Sequence, residues 1–145
     1  MADTEHEGRC LCGAVTVAIR GPVETFSACH CDYCRRWSGS VQMGITVADG
    51  DLRVDGPVEM HQATPFTTRH WCGTCGSALY LRSTDGEFAG EYWVAPGLFE
   101  NFAGARLASV VYADRCPAGL ELGGQIKRTT KADYEAAHDH VEDDA

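Results

Sequence analysis

From Gly13 onward the chain is cut into short β-prone runs separated by glycine, proline and aspartate turns. Ala14-Val15-Thr16-Val17-Ala18-Ile19-Arg20 is rich in β-branched residues and stops at Gly21-Pro22. Val41-Gln42-Met43-Gly44-Ile45-Thr46-Val47 alternates apolar with small or polar residues, the period-two signature of a strand. Leu52-Arg53-Val54 is a third run, closed by Asp55-Gly56-Pro57. Further strands are expected at 59–63, 67–71, 78–82 and 91–95, and the last clear one at 109–112. Residues 1–8 are polar and read as a frayed end. The segment 29–38 is polar and cysteine-dense, and reads as a metal-bearing loop with room for one helical turn. The one helix signal lies at 130–137, where Thr130 can cap and Asp133 follows three residues on. Residues 138–145 are acidic and read as a solvated tail. Many short strands with tight turns indicate an all-β domain, and 16 glycines suit those turns.

A chain of 145 residues has the size of one domain with one core. Its hydrophobic content of 44% is ordinary for a globular protein. No apolar run approaches the roughly 18–20 residues that span a membrane. The polar start lacks a basic stretch followed by an apolar one, so a cytoplasmic location with reduced thiols is expected. The formal charge of −9, with only Arg35-Arg36 and Lys127-Arg128 as basic clusters, disfavours nucleic acid and anionic membrane as partners. There is no dinucleotide fingerprint, phosphate loop or serine–histidine–aspartate order, so nucleotide chemistry is not supported.

The cysteines change this picture of a plain β domain. Seven of the eight fall in three groups: Cys10-Leu11-Cys12, Cys29-His30-Cys31-Asp32-Tyr33-Cys34 and Cys72-Gly73-Thr74-Cys75. Cys-x-Cys and Cys-x-x-Cys spacings aim two thiolates at one point, as a tetrahedral zinc requires. An even cysteine count also fits a disulfide framework, but the spacings and the expected reducing compartment favour metal. Seven ligands divide into a complete set of four, the closed structural kind, and an incomplete set of three, which keeps a position open. Seven thiolates and two zinc ions would take the formal charge of −9 to about −12.

Spacing alone does not assign the seven to two metals. The runs Gly8-Arg9-Cys10-Leu11-Cys12-Gly13-Ala14-Val15, Cys29-His30-Cys31-Asp32-Tyr33-Cys34-Arg35-Arg36-Trp37-Ser38-Gly39 and Arg69-His70-Trp71-Cys72-Gly73-Thr74-Cys75-Gly76-Ser77-Ala78-Leu79 resemble the glutathione-dependent formaldehyde-activating (GFA/CENP-V) family over about residues 8–115. The resemblance implies a mostly β, Mss4-like fold of short antiparallel strands organised around zinc-binding cysteine loops, in a single domain. It implies a structural zinc on Cys10, Cys12, Cys72 and Cys75, and a catalytic zinc on Cys29, Cys31 and Cys34. The implied activity is carbon–sulfur bond formation or cleavage on a glutathione adduct such as S-(hydroxymethyl)glutathione, with a small-molecule thiol as partner.

Other readings of the same residues stand beside this one. His30, His61 or His70 could complete the three-cysteine set and make it structural too. His30 could instead serve as a proton shuttle or a supporting hydrogen-bond partner. Arg35 and Arg36 could anchor a glutathione carboxylate or merely offset thiolate charge. Trp37, Trp71 and Trp93 read as core or pocket wall. Cys116 lies outside the motifs and reads as a free thiol. The rival function is a zinc-stabilised, non-catalytic binding or chaperone-like scaffold, because fold does not fix function.

Overall fold

The computed structural model describes residues 4–138. In chain order the strands are β1 (Glu5–Arg9), β2 (Thr16–Arg20), β3 (Thr25–Cys29), β4 (Gln42–Val47), β5 (Leu52–Asp55), β6 (Val58–Thr64), β7 (Thr67–Cys72), β8 (Ala78–Ser83), β9 (Tyr92–Val94), β10 (Arg106–Val111) and β11 (Lys127–Thr129). The helices are α1 (Asp32–Ser38) and α2 (Lys131–Ala137), so the chain is mostly β as its patterning indicates. The chain divides into two compact units, each built from separated stretches of sequence.

The first unit takes Met1–Glu24 and Gly44–Arg106. One of its sheets has the order β1-β2-β5, all antiparallel, with Val17 opposite Val54 and Ile19 opposite Leu52. β2 buries Val17, Ala18 and Ile19 in succession, which explains why this strand reads as an apolar run rather than an alternation. The other strands run in the order β4-β9-β8-β7-β6, also antiparallel where paired. Its core includes Val15, Ile45, Val47, Leu79, Val94 and Phe99. Gly44 in β4 is required by packing: a Cβ there would lie 2.2–2.4 Å from the indole of Trp93. The indole therefore rests directly on the β4 backbone.

The second unit takes Thr25–Met43 and the chain from Leu107. Its strands run β11-β10-β3, and β11 lies parallel to β10, with Val110 opposite Arg128. Ala28, Cys29, Cys31, Cys34, Val110 and Tyr112 are buried. α2 begins where its cap indicates: the Thr130 hydroxyl accepts from Asp133 N at 3.1 Å.

Four expectations change. Residues 5–9 are not frayed but form β1, because pairing with β2 supplies the order that Glu-His-Glu-Gly-Arg lacks on its own. Thr25–Cys29, rich in weak strand formers, is a strand, as is Lys127–Thr129 beyond the apparent last one. The pairing of β10 with β11 also breaks the all-antiparallel expectation. The segment after Cys31 winds into the seven-residue α1 rather than a single turn. Of the acidic tail only His138 falls among the described residues, so the reading of 139–145, His140 included, lies outside them.

Candidate metal centres

Two hairpins of the first unit turn in the same way. After β1, Cys10 N donates to Val15 O at 3.0 Å and Gly13 N to Cys10 O at 3.2 Å; Gly13 sits at φ 79°. After β7, Cys72 N donates to Ser77 O at 2.9 Å and Gly76 N to Cys72 O at 2.8 Å; Gly76 also sits at φ 79°. Glycine is the residue that takes this left-handed corner without strain. Each tight turn points amide protons at sulfur. Val15 N reaches Cys10 Sγ at 3.3 Å and Ala14 N reaches Cys12 Sγ at 3.5 Å, while Thr74 N and Cys75 N reach Cys72 Sγ at 3.4 Å. Such donors favour thiolates over thiols.

The fold brings the two turns together, and Leu11 N donates across them to Ser77 Oγ at 3.0 Å. All four sulfurs, of Cys10, Cys12, Cys72 and Cys75, lie within 4.8 Å of one another. The Cys10–Cys12 and Cys12–Cys72 separations are 3.6 and 3.9 Å. Four sulfurs around one zinc at ~2.3 Å would sit about 3.8 Å apart, so this donor set fits the ion. Cys10 and Cys72 are buried, Cys75 is half-buried and Cys12 is exposed. Hydrogen bonds from the Ser77 hydroxyl and backbone, then from the Cys12 backbone, hold the Cys75 thiol down to about 5.

The second group lies in the second unit. Cys29 ends β3, Cys31 caps α1 and Cys34 occupies its first turn; all three are buried and their sulfurs lie within 4.8 Å of one another. Cys31 N reaches Cys29 Sγ at 3.4 Å and Cys34 N reaches Cys31 Sγ at 3.3 Å. The sulfurs of Cys31 and Cys34, then burial, push the Cys29 thiol well above its ordinary value. Three negative charges cannot share such a pocket without a cation, and a metal ion would supply one. This group too is able to hold a metal.

None of the three histidines considered as a fourth ligand joins the group. His30 is 3% exposed, its imidazole held below the ordinary value by burial, and its backbone N–H goes to Val111 O at 3.2 Å. His70 stacks on Tyr80 at 4.3 Å and is hydrogen-bonded to Thr68 Oγ1 at 2.9 Å. His61 is exposed on β6. Cys116 joins neither group; its thiol donates to Leu120 O at 3.1 Å.

Arg35 and Arg36 stand in the last turn of α1, both exposed. Arg35 Nη2 donates to Asp32 Oδ1 at 3.0 Å, and Arg115 Nη2, 83 positions further along the chain than Asp32, donates to the same oxygen at 3.0 Å. The Arg35 hydrogen bond, then the charges of Arg115, Arg35 and Arg36, hold the Asp32 carboxyl below its ordinary value against partial burial. Sequence reasoning missed Asp32 and Arg115. The first had a signal, its place between two candidate ligands; the second had none. Among the tryptophans, Trp93 covers Gly44 and Trp71 is half-buried, whereas Trp37 is 36% exposed.

The model of the family described as glutathione-dependent formaldehyde-activating enzyme matches residues 5–114, which hold all seven clustered cysteines. The chain belongs to that family. Among curated relatives, this family member is 28% identical over 127 residues to an uncharacterized lyase of Schizosaccharomyces pombe, covering 87% of this chain and 91% of the relative. It is 34% identical over 85 residues to a Halomonas elongata protein named provisionally as a glutathione-dependent formaldehyde-activating enzyme, covering 52% of this chain and 54% of that one. The crystal structure of a Rhodobacter sphaeroides protein matches with a TM-score of 0.54 at 21% identity, over 70% of this chain and 99% of that one, a likeness of fold. No helix of the described residues is long and apolar enough to cross a membrane.

Proposed function

We propose that the protein is a zinc-dependent carbon–sulfur lyase or synthase acting on a glutathione adduct such as S-(hydroxymethyl)glutathione. The observation that carries this reading is the incomplete ligand set: three buried cysteines that no fourth cysteine, histidine or acid joins among the described residues, in a member of a family of this description. In the proposed assignment Cys10, Cys12, Cys72 and Cys75 hold a structural zinc, and Cys29, Cys31 and Cys34 hold the reactive one. A zinc ion on three sulfurs supplies an open Lewis-acid position for the sulfur or oxygen of a thiol adduct.

In the synthetic direction the glutathione sulfur bonds to the carbonyl carbon of formaldehyde, and the thiol proton ends on the new hydroxyl oxygen. The lyase direction breaks the same bond and returns the proton to sulfur. The three cysteines fix where this occurs, and their burial keeps bulk water from the reacting atoms. Arg35 and Arg36 offer guanidinium donors suited to the two carboxylates of glutathione.

Because formaldehyde adds to glutathione without a catalyst, the test is a rate. Native mass spectrometry should find two zinc ions per chain, and exchange NMR on ¹³C-formaldehyde with glutathione should then show faster interconversion in the presence of protein. Cys31→Ser should abolish the acceleration and keep the fold. The reading is refuted if protein with two zincs leaves the exchange rate unchanged. If Cys31→Ser unfolds the protein as Cys12→Ser does, the scaffold function replaces it.

A further inference from the structure

Arg115 lies outside every cysteine motif, yet it is fixed in place more firmly than an exposed arginine needs to be. Its side chain shares one carboxylate oxygen of Asp32 with Arg35, both at 3.0 Å, and Asp32 directly follows Cys31 in the chain. The Asp32 side chain is only 16% exposed, whereas those of Arg35 and Arg115 are 44% and 38% exposed. The acid is thus the inner member and the two guanidiniums face outward. With Arg36 beside them, three guanidiniums gather about the Asp32 carboxylate, in a chain of net charge −9.

The backbone that carries Arg115 is held at both ends. Tyr112, 2% exposed, sits at φ 54° and ψ 40°, a left-handed conformation unfavourable for any residue with a side chain. It turns the chain out of β10 into the 3₁₀ turn Ala113–Arg115, which closes when Arg115 N donates to Tyr112 O at 3.0 Å. The Tyr112 ring packs against Tyr134 of α2 at 5.3 Å, and Asp114 Oδ1 accepts from Lys131 N at 2.7 Å. On the facing side, His30 N donates to Val111 O, seating the Cys29–Cys34 segment alongside the end of β10. A strained corner retained under this much support is a sign of function rather than of surface accident.

We propose that Asp32 is a positioning residue holding Arg35 and Arg115 together beside the three-cysteine group, and that this arginine pair selects anionic thiols as substrates. The proposal rests on the thiol-adduct reading above and deepens it by naming the residues that select the thiol. An acidic protein repels a glutathione-like anion at long range; a local pair of guanidiniums reverses that field at the site and offers planar donors that fit a carboxylate. A neutral or cationic thiol gains nothing from it.

The test uses zinc-loaded full-length protein and two thiol probes, glutathione and the cationic cysteamine, titrated calorimetrically. Zinc per chain and circular dichroism are followed for each variant. Arg115→Gln should weaken glutathione binding about tenfold, the loss of one charged hydrogen-bond partner, without weakening cysteamine, so the affinity ratio shifts by at least that factor. Arg35→Gln should shift the ratio the same way, and Arg115→Lys should recover part of it. Equal weakening of both thiols, or no change in the ratio for either glutamine variant, overturns the selection role while leaving the thiol-adduct reading intact. Failure of the wild-type protein to bind either thiol overturns that reading and this inference with it.

Discussion

Replacing Cys72 by serine should unfold the protein far more readily than replacing Cys31, although both are buried cysteines in groups able to hold a metal. The reason is chain topology. Cys12 and Cys72 are 60 positions apart, so a metal joining their sulfurs closes a long loop. Treated as a cross-link, a loop of that length restricts the unfolded chain by about 4 kcal/mol at 25 °C, against about 2 kcal/mol for the short span that joins Cys29 to Cys34. The first figure counts only loop closure and is a lower bound, since metal-binding free energy also enters the folding free energy. It is a large share of the ~5–15 kcal/mol that a domain has in total. Urea unfolding of reduced, zinc-loaded protein, followed by tryptophan fluorescence, reads this directly. With a slope of about 2 kcal/mol/M, Cys72→Ser should lower the midpoint by about 2 M and Cys31→Ser by about half as much. Equal midpoints for the two variants, or a Cys72→Ser midpoint within about 0.3 M of wild type, would refute the cross-link.

Stability of the metal-free protein should fall as pH rises above 9. The folded-state Cys29 thiol sits above its ordinary value of 9.0, so folding favours the neutral form and loses ground as the unfolded thiol ionises. The Cys75 thiol, held down to about 5, makes metal-free stability rise with pH below 9, and zinc should steepen that rise because binding releases further thiol protons; urea midpoints between pH 6 and 9 with and without zinc measure the difference. Gly44→Ala should cost about 1–3 kcal/mol, because the Trp93 indole occupies the space of the new methyl group; a thermal midpoint unchanged from wild type would contradict that packing. Asp32→Asn should cost about 1 kcal/mol at pH 7, reduced by the solvent exposure of its arginine partners. Its carboxyl is lowered in the folded state, so the loss should be complete above the unfolded value near 4 and vanish as pH falls through the folded one; an undiminished loss in acid would rule out the ion pairs as its cause.

Much of the site is legible in the chain because metal knuckles are local. Cys-x-Cys and Cys-x-x-Cys, with a glycine that accepts the left-handed corner, fix two sulfurs within a few residues, and the structure has those turns at Cys10–Cys12 and Cys72–Cys75. The strands with β-branched or alternating patterning were readable for the same reason, as was the Thr130 cap of α2. Other elements depend on partners distant in sequence. β1 has no apolar residue of its own and is a strand because β2 pairs with it; β11 is three polar residues ordered against β10.

What the sequence determined by itself was the chemistry available: seven clustered thiols, four and three by count, in short β runs. The tertiary structure decided which groups share a point in space. It set Cys10–Cys12 against Cys72–Cys75, which no local rule specifies, and it kept the three histidines out of the Cys29–Cys31–Cys34 group. It also carried Arg115 across 83 positions to the carboxylate beside Cys31. Spacing along a chain constrains geometry only over the few residues where the backbone is stiff; beyond that, position is settled by which strands pair and which side chains they bury.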